Sequence, residues 1–362
     1  MGSRPKAAHS ISVESHPMPT APLPPPLPTP SRALTLPGIT LGHGTDLAGK
    51  TGVTVILCPE GVLAAAEVRG SATGTRQFDS LVSPLHLSSR VHAVVLAGGS
   101  AFGLAAADPV VAHLARGGYG FQTGIRPVPV VPTAILFDLA FGGSALPPGP
   151  AVVEAALASA AAGEVAVGSV GAGTGATVGK ALGPERGMKG GFGFASLAVP
   201  GGPTVAAAVA VNAFGDVRDV REGGSGRIVA GCRAAPDRLD LVGADRVLAA
   251  LPPESPHPWE GNTTLAVVMT DAALGKAALL KVCQMAFGGL HRALSPALTL
   301  YDGDLIVALA LGERPAHVNQ IGVLAEQAVA HAILTAVEAA DGFGLLPAVR
   351  DLPRVELSQP ER

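Results

Sequence analysis

Short apolar runs and longer segments with apolar residues at helical spacing both occur along the chain. The short runs end at Gly, Pro, Asn or Asp, which is typical of buried strands; examples are VHAVVLAGG, TVAAAVAVNAFG, TLAVVMTD and LIVALALG. The longer segments end at Gly and are typical of helices; examples are GPAVVEAALASAAAGE and GKAALLKVCQMAFGGLHRAL. Because strands and helices do not alternate strictly, the pattern predicts an α+β fold, with central sheets covered by helices, rather than a doubly wound fold.

Two polar tails flank the patterned part of the chain. Residues 1–33 are rich in Pro and small polar residues, so we expect a disordered tail that cannot bury enough surface to offset its ordering entropy. Residues 353–362 form a second polar tail. Between them, residues 34–352 contain no internal repeat and predict a single domain.

Composition excludes several classes of protein. With 48% hydrophobic and 15% charged residues, the chain is too apolar to be disordered. A net charge of −3 without a dense Lys/Arg run predicts neither a nucleic-acid partner nor an anionic membrane surface, so we expect a small substrate. The apolar runs stop short of the roughly 18 residues that a membrane span needs, and the N-terminus does not have the pattern of a signal peptide.

The cysteines also bear on location. Cys58, Cys232 and Cys283 are odd in number, far apart and set in apolar surroundings, which argues against a disulfide framework or a zinc cluster. We expect buried free thiols in a reducing compartment, and hence a cytoplasmic protein.

Glycines cluster beside strands and helix starts, in LAGGSAFGL, VGSVGAGTGATVGKALG and MKGGFGFAS. Such clusters allow a backbone to approach a ligand or another segment closely. GAGTGATVGK fails the phosphate-loop pattern, because Gly175 and Gly179 are separated by three residues and Lys180 precedes Ala181. The dinucleotide fingerprint also fits poorly, so the sequence does not favour nucleotide binding.

Two polar residues near these clusters allow two interpretations each. Lys180 is either a solvated surface lysine or a charge placed against a site. Asn212 ends an apolar strand in VAVNAFGDV, where its side chain either caps a turn or donates to an oxyanion.

The stretch GNTTLAVVMTDA places two threonines at the start of an apolar strand. A threonine hydroxyl needs a base, and neither a Gly-x-Ser-x-Gly elbow nor a histidine partner is evident near Thr263. Cleavage just before Thr263 would give the residue its own α-amino group, whose pKa of about 7.7 to 8.0 suits a general base. Asn262 would then be the acyl side of the broken bond. Local composition alone leaves this hypothesis open beside an ordinary loop entering a strand.

Six motifs in order resemble the L-aminopeptidase/D-esterase-D-amidase family, which includes β-peptidyl aminopeptidases and nylon-oligomer hydrolases. They are LAGGSAFGLAAADPV, GAGTGATVGK, KGGFGFAS, AVAVNAFGDV, GNTTLAVVMTDA and LYDGDLIVALALG, and the similarity extends from about Leu36 to Gly342. The resemblance implies a four-layer αββα sandwich, similar to N-terminal-nucleophile hydrolases but differently connected. It also implies self-cleavage between Asn262 and Thr263, two subunits (1–262 and 263–362), a homo-oligomer such as a tetramer of heterodimers, and no cofactor or metal.

The resemblance assigns roles to five residues. Thr263 matches the nucleophile, Asn212 the asparagine that faces the oxyanion, and Lys180 the lysine beside the nucleophile in nylon-oligomer enzymes. Asp302 and Asp304 match two acidic residues near the new amino group. From the residues alone, this Asp-Gly-Asp segment is also typical of a turn.

One position departs from the family pattern. Some members place a tyrosine hydroxyl near the oxyanion, whereas the corresponding segment here, VPTAILFDLAFGG, offers Phe137. Loss of one such donor costs about a hundredfold or more in rate, so a different substrate or a different geometry is expected.

The expected activity is hydrolysis of short peptides, amino-acid amides or esters by an aminopeptidase or amidase. The Thr nucleophile preceded by Asn keeps open a nylon-type endohydrolase of ω-amino-acid oligomers. Two further alternatives are an acyltransferase resembling ornithine acetyltransferase and a binding protein that has lost processing. The Pro-rich tail could also bind partners that read polyproline helices.

Overall fold

The computed structural model describes residues 26–143, 145–221, 226–254 and 261–353. Residues 1–25 and 354–362 of the two predicted tails lie outside the described residues. The last residues before the predicted domain already contact it, since Ser31 pairs with Ser196 and Arg32 forms an ion pair with Glu164 at 2.8 Å.

The secondary structure of the described residues consists of strands, α-helices and short 3-10 segments. The strands are β1 Ala33–Leu34, β2 Thr40–Asp46, β3 Thr51–Val68, β4 Gly74–Arg76, β5 Arg90–Ala97, β6 Phe121–Gln122, β7 Pro127–Val128, β8 Thr133–Ile135, β9 Gly163–Glu164, β10 Thr177–Val178, β11 Met188–Lys189, β12 Gly191–Ala198, β13 Thr204–Asn212, β14 Asp216–Arg218, β15 Ile228–Ala230, β16 Thr263–Ala272, β17 Leu294–Ser295 and β18 Leu305–Arg314. The α-helices are α1 Asp79–Val82, α2 Ala107–Arg116, α3 Pro150–Ala158, α4 Ala244–Ala249, α5 Lys276–Ala293 and α6 Val318–Glu338. The 3-10 segments are Ser100–Ala106, Gly171–Gly173, Pro184–Arg186 and Val349–Asp351.

The largest sheet has nine strands in the order β12-β13-β16-β18-β3-β5-β8-β4, with β2 also paired to β3. The 18-residue strand β3 joins its two parts, because pairing shifts between Leu57 and Val62. Its first half pairs with β2 and β5, and its second half pairs with β18. The sequence pattern predicts two strands here. Gly61, with a φ of +79°, lets a single strand bend without ending.

Three apolar cores hold the sheet and helices together. One lies between the α5/α6 pair and one face of β13, β16 and β18, and a second lies between the two parts of the large sheet. A third lies between β5 and the helices α2 and α3. This mixed arrangement agrees with the α+β prediction.

Helix α6 packs against β12 and β13 unusually closely. A Cβ added to Gly193 would lie 1.8 Å from the carbonyl oxygen of Ala332, so only glycine fits there. By length and composition α6 could cross a membrane, but 67% of its most apolar window is buried inside the protein. The packing identifies it as a core helix. Gly193 within β12 thus allows the close approach of helix and sheet.

The three cysteines are buried and free, which confirms the prediction made from their spacing.

Strand directions bring several predicted residues to one edge of the sheet. Strand β16 runs antiparallel to β13 and parallel to β18. The end of β13 therefore meets the starts of β16 and β18. In this register Asn212 lies opposite Thr263, and Asn262 forms a parallel bridge with Asp302.

Candidate active site

The predicted junction lies in the protein interior. Thr263 is the first residue of β16 and is 3% exposed. Its hydroxyl donates a hydrogen bond to the carbonyl oxygen of Asn262. The backbone N–H of Gly303 donates to the same oxygen, with a nitrogen–oxygen distance of 2.9 Å. The hydroxyl predicted to attack and the carbonyl predicted to be attacked are therefore in direct contact.

Asn212 closes the strand next to this junction. Its Oδ1 accepts the backbone N–H of Thr177 at 2.9 Å. Its Nδ2 donates to the carbonyl oxygens of Phe137 at 3.0 Å and Gly261 at 3.1 Å. The amide therefore satisfies backbone groups of three neighbouring segments. Its donation to an oxyanion stays a prediction.

Lys180 is 1% exposed, which excludes the solvated-surface interpretation. Its Nζ donates to the backbone oxygen and the Oδ1 of Asn212, both at 3.0 Å, and to the carbonyl oxygen of Gly261 at 3.3 Å. Burial lowers the pKa of Lys180 to about 7, while the charges of Asp302 and Asp304 oppose that shift. Lysine and amide thus hold the same carbonyl, one residue before the predicted scissile bond.

Asp302 and Asp304 form the acidic side of the site. Asp302 accepts the Thr299 hydroxyl at 2.6 Å and so closes a turn, as its Asp-Gly-Asp context predicts. Asp304 accepts the backbone N–H of Thr264 at 2.6 Å. Burial raises the pKa of both carboxyl groups, and with the added charge of Asp302 the pKa of Asp304 reaches about 8. In the uncut chain burial and the neighbouring Asp302 charge thus favour the protonated form of Asp304.

A cavity of about 430 Å³ adjoins the site through Phe137 and Thr177, two of the residues bonded to Asn212. The remaining lining residues are Asp138, Ala140, Phe141, Gly142, Gly175, Pro184, Glu185, Arg233, Pro236, Leu345, Leu346 and Pro347. Its walls are thus largely apolar, with a few charged groups, which is typical of small-molecule sites.

Two of the three charged side chains that line the cavity already form hydrogen bonds to other protein groups. Arg233 donates to backbone carbonyl oxygens, including those of Glu185 and Pro236 at 2.6 Å, so its guanidinium organises the wall. Asp138 accepts the hydroxyl of Thr51 at 2.7 Å and the N–H of Gly99 at 2.7 Å. The side chain of Glu185, by contrast, belongs to an exposed residue at the rim.

Sequence reasoning missed a second buried lysine. Lys189 is fully buried and donates to the carbonyl oxygens of Gly173 and Ala176, both at 2.8 Å, and Gly190 at 3.2 Å. Burial lowers its pKa to about 7. The available signal was its place beside a glycine cluster, the same context as Lys180. Lys189 thereby fixes the loop that carries Thr177.

The sequence profile of peptidase family S58 matches residues 34–344. The chain belongs to peptidase family S58. This finding confirms the resemblance found in the sequence. As a member of this peptidase family, the chain is an amide-bond hydrolase.

Two relatives agree with the family assignment, and one solved structure has a similar fold. An uncharacterized aminopeptidase of Mycobacterium leprae (strain TN) is 38% identical over 329 residues, covering 82% of this chain and 84% of the relative. A 6-aminohexanoate-oligomer endohydrolase of Kocuria sp. (strain KY2) is 30% identical over 280 residues, covering 76% and 74%. The structure of the L-aminopeptidase D-Ala-esterase/amidase of Ochrobactrum anthropi, described as a variant of the Ntn-hydrolase fold, superposes with a TM-score of 0.65 at 20% identity, covering 88% and 89%.

Proposed function

We propose that the chain cuts itself between Asn262 and Thr263 and then hydrolyses small amides with the freed Thr263 as its nucleophile. The observation that carries this proposal is the hydrogen bond between the Thr263 hydroxyl and the Asn262 carbonyl oxygen. It lies at the sheet edge where Asn212 is held opposite Thr263. A hydroxyl already positioned at the preceding carbonyl needs little rearrangement to attack it.

Turnover begins once the α-amino group is free. This amine accepts the proton of the Thr263 hydroxyl, and the oxygen attacks the substrate's amide carbonyl. The Nδ2 of Asn212 donates to the developing oxyanion, which a neutral amide can do without changing its protonation. Asp302 and Asp304 hold and orient the amine. Lys180 holds the Asn212 side chain in place by donating to its Oδ1. Water then releases the acyl group from Thr263.

The cavity beside Asn212 supports short peptides and amino-acid amides as substrates. Its volume fits a small molecule, and its apolar walls, with Phe137 and Phe141 among them, suit apolar side chains. Glu185 at the rim offers a carboxylate to a substrate ammonium. Because Thr263 is 3% exposed in the uncut chain, a substrate reaches its hydroxyl only after the junction has opened. The relatives named as aminopeptidases agree with this substrate class.

A nylon-type endohydrolase is the second candidate. Threonine preceded by asparagine at the junction favours it, as does the 30% identity to a 6-aminohexanoate-oligomer endohydrolase. The two candidates differ in where they cut. An aminopeptidase removes residues from the amino end, whereas an endohydrolase also produces internal fragments.

We further propose that the two pieces, 1–262 and 263–362, remain one domain. Strands β13 and β16 lie on opposite sides of the cut and are paired over eight residue positions from Asn212↔Thr263 to Val205↔Thr270. The three stacked cores favour the four-layer αββα arrangement. We also propose that these heterodimers assemble into a homo-oligomer and need no cofactor. A location in the cytoplasm agrees with the buried free thiols, which suit a reducing compartment.

A substrate panel tests the activity. The wild type and Thr263→Ala are incubated with L-amino-acid amides, short α- and β-peptides and linear 6-aminohexanoate oligomers, and products are separated by mass. We expect the wild type to release amino-terminal residues and Thr263→Ala to have no activity. Internal fragments of the oligomers would favour the second candidate. Equal hydrolysis by the two proteins would exclude Thr263 as the nucleophile.

A further inference from the structure

Two neighbouring carbonyl groups of the junction are held by two separate sets of donors. The Asn262 carbonyl oxygen, at the predicted scissile bond, accepts the backbone N–H of Gly303 at 2.9 Å. The Gly261 carbonyl oxygen accepts Nδ2 of Asn212 at 3.1 Å and Nζ of Lys180 at 3.3 Å.

Asn212 has no N–H left over for the scissile carbonyl. A carboxamide has two N–H donors, and the carbonyl oxygens of Phe137 and Gly261 accept from this nitrogen. The amide is held in this orientation because its Oδ1 accepts from Thr177 and Lys180. In the uncut chain the side chain proposed to stabilise the substrate oxyanion is therefore directed at a different carbonyl.

We propose that self-cleavage uses the Gly303 N–H as its oxyanion donor, and that Asn212 serves turnover only. This inference rests on the proposed function, since it assumes that Thr263 attacks Asn262. The two reactions would then share a nucleophile but use separate donors. Gly303 would be a catalytic residue of maturation, acting through its backbone.

The surroundings of Gly303 fix its N–H in place. On the segment between β3 and β4, the N–H of Gly70 donates to the Asp304 carbonyl at 2.9 Å and the N–H of Ala72 donates to the Asp302 carbonyl at 3.0 Å. A Cβ on Gly303 would lie 2.7 Å from both the Ala72 carbonyl oxygen and the Thr263 hydroxyl oxygen. This backbone is therefore clamped from one side and in contact with the nucleophile on the other.

The chemistry of the step balances with these groups. Thr263 Oγ1 bonds to the Asn262 carbonyl carbon, and the carbonyl oxygen, now an oxyanion, keeps its hydrogen bond from Gly303. The bond from that carbon to the Thr263 nitrogen then breaks, and the hydroxyl proton ends on the leaving nitrogen. Water hydrolyses the resulting ester, which gives the Asn262 carboxylate and restores the Thr263 hydroxyl.

The same contacts imply how turnover is held off before maturation. The Gly261 carbonyl occupies the donors of Asn212 and Lys180 until Gly261 and Asn262 move away from them. A substrate carbonyl then takes its place on Asn212. The junction segment thus acts as an internal competitor for the substrate's oxyanion donor.

Two variants separate the reactions, with the uncut fraction followed over time after synthesis by denaturing electrophoresis and turnover measured per cut chain. Gly303→Ala keeps the backbone N–H but places a Cβ 2.7 Å from the Ala72 carbonyl oxygen and the Thr263 hydroxyl oxygen, so this backbone must shift. Because the shift moves the N–H away from the Asn262 carbonyl, we expect self-cleavage to slow about a hundredfold or more. In Asn212→Ala, Lys180 still holds Gly261, so we expect cleavage within about tenfold of the wild-type rate and turnover lowered about a hundredfold or more. Gly275→Ala is the matched control, because a Cβ there meets nothing within 4 Å.

Each result has a distinct meaning. A folded Asn212→Ala protein that stays uncut, or a Gly303→Ala protein that cuts at the wild-type rate, would overturn the inference. If Gly303→Ala does not fold, the Asn212→Ala result alone decides. Failure of the proposed function is recognised separately: the wild type would stay uncut, or Thr263→Ala would still be cut at the same bond.

Discussion

Asp304 couples stability to pH at the scale of one residue. Its two carboxyl oxygens accept the backbone N–H groups of Thr264 at 2.6 Å and Leu298 at 3.1 Å, so it joins the start of β16 to the segment before β18. In Asp304→Asn one oxygen becomes an N–H donor facing another N–H. We expect the free energy of unfolding to fall by about 1–3 kcal/mol, measured by urea denaturation at pH 5 in a Thr263→Ala background that keeps the chain uncut.

The pH dependence of that difference has a definite sign. The pKa of Asp304 is raised from 3.8 to about 8 in the folded chain, so the folded state binds more protons than the unfolded state between these values. The stabilisation is complete below about pH 4 and is lost as the pH rises through about 8. The difference in the free energy of unfolding between Thr263→Ala and the double variant that also carries Asp304→Asn should therefore become smaller from pH 5 to pH 8. A gap that widens over this range would contradict the assigned protonation.

The sequence predicts which residues lie in the site, but it does not predict how their side chains are oriented. The motifs indicate Thr263, Asn212 and Lys180 through the resemblance to the family, since the residues alone leave other interpretations open. They do not indicate that Asn212 is directed at the Gly261 carbonyl or that a glycine N–H holds the scissile carbonyl. Those contacts depend on the distance between segments far apart in the chain, which no local pattern contains.

Lys189 acts at the scale of a structural element. By donating to the carbonyl oxygens of Gly173 and Ala176, it ties down the glycine-rich loop whose Thr177 orients Asn212. Lys189→Met keeps the bulk but leaves buried carbonyl groups without their donor. We expect the free energy of unfolding to fall by about 1–3 kcal/mol at pH 7 in the same Thr263→Ala background.

The sign of this effect with pH is opposite to that of Asp304. The folded-state pKa of Lys189 is lowered from 10.5 to about 7 by burial, with Asp138 and Asp341 opposing the shift. The cost of the lowered pKa is fully present below about pH 7 and disappears as the pH rises towards 10.5, since over this range the unfolded state binds more protons. The advantage of lysine over Lys189→Met should therefore grow from pH 7 to pH 9 in urea denaturation. A constant difference would show that Lys189 does not titrate in this range.

The sequence predicts most accurately those strands and helices in which apolar residues recur at a regular spacing. The segments that form β13, β16 and α5 have the predicted type and nearly the predicted bounds, because each has a continuous apolar face to bury. The long strand β3 was predicted as two strands, since Gly61 is as typical of a turn as of a bend. The two-residue strands, such as β10, have too few residues to show a period.

At the scale of the whole molecule, the proposed enzyme differs from the uncut chain by one peptide bond. The family could be recognised from the motifs and their order along the chain. The cavity could not be located, since its walls combine segments around Phe137, Glu185, Arg233 and Leu346 that are remote in sequence. Cutting beside Thr263 leaves both pieces paired through β13 and β16, so maturation should expose the site without dissolving the fold.

The most direct test of the central claim is denaturing electrophoresis of the purified protein with amino-terminal sequencing of each band. The account predicts two fragments of roughly 26 and 10 kDa, scaled by length from the 36.0 kDa chain. The smaller fragment should begin Thr-Thr-Leu, and Thr263→Ala should run as one intact band. An intact wild-type chain that hydrolyses amides, or a cut at any other bond, would contradict the account.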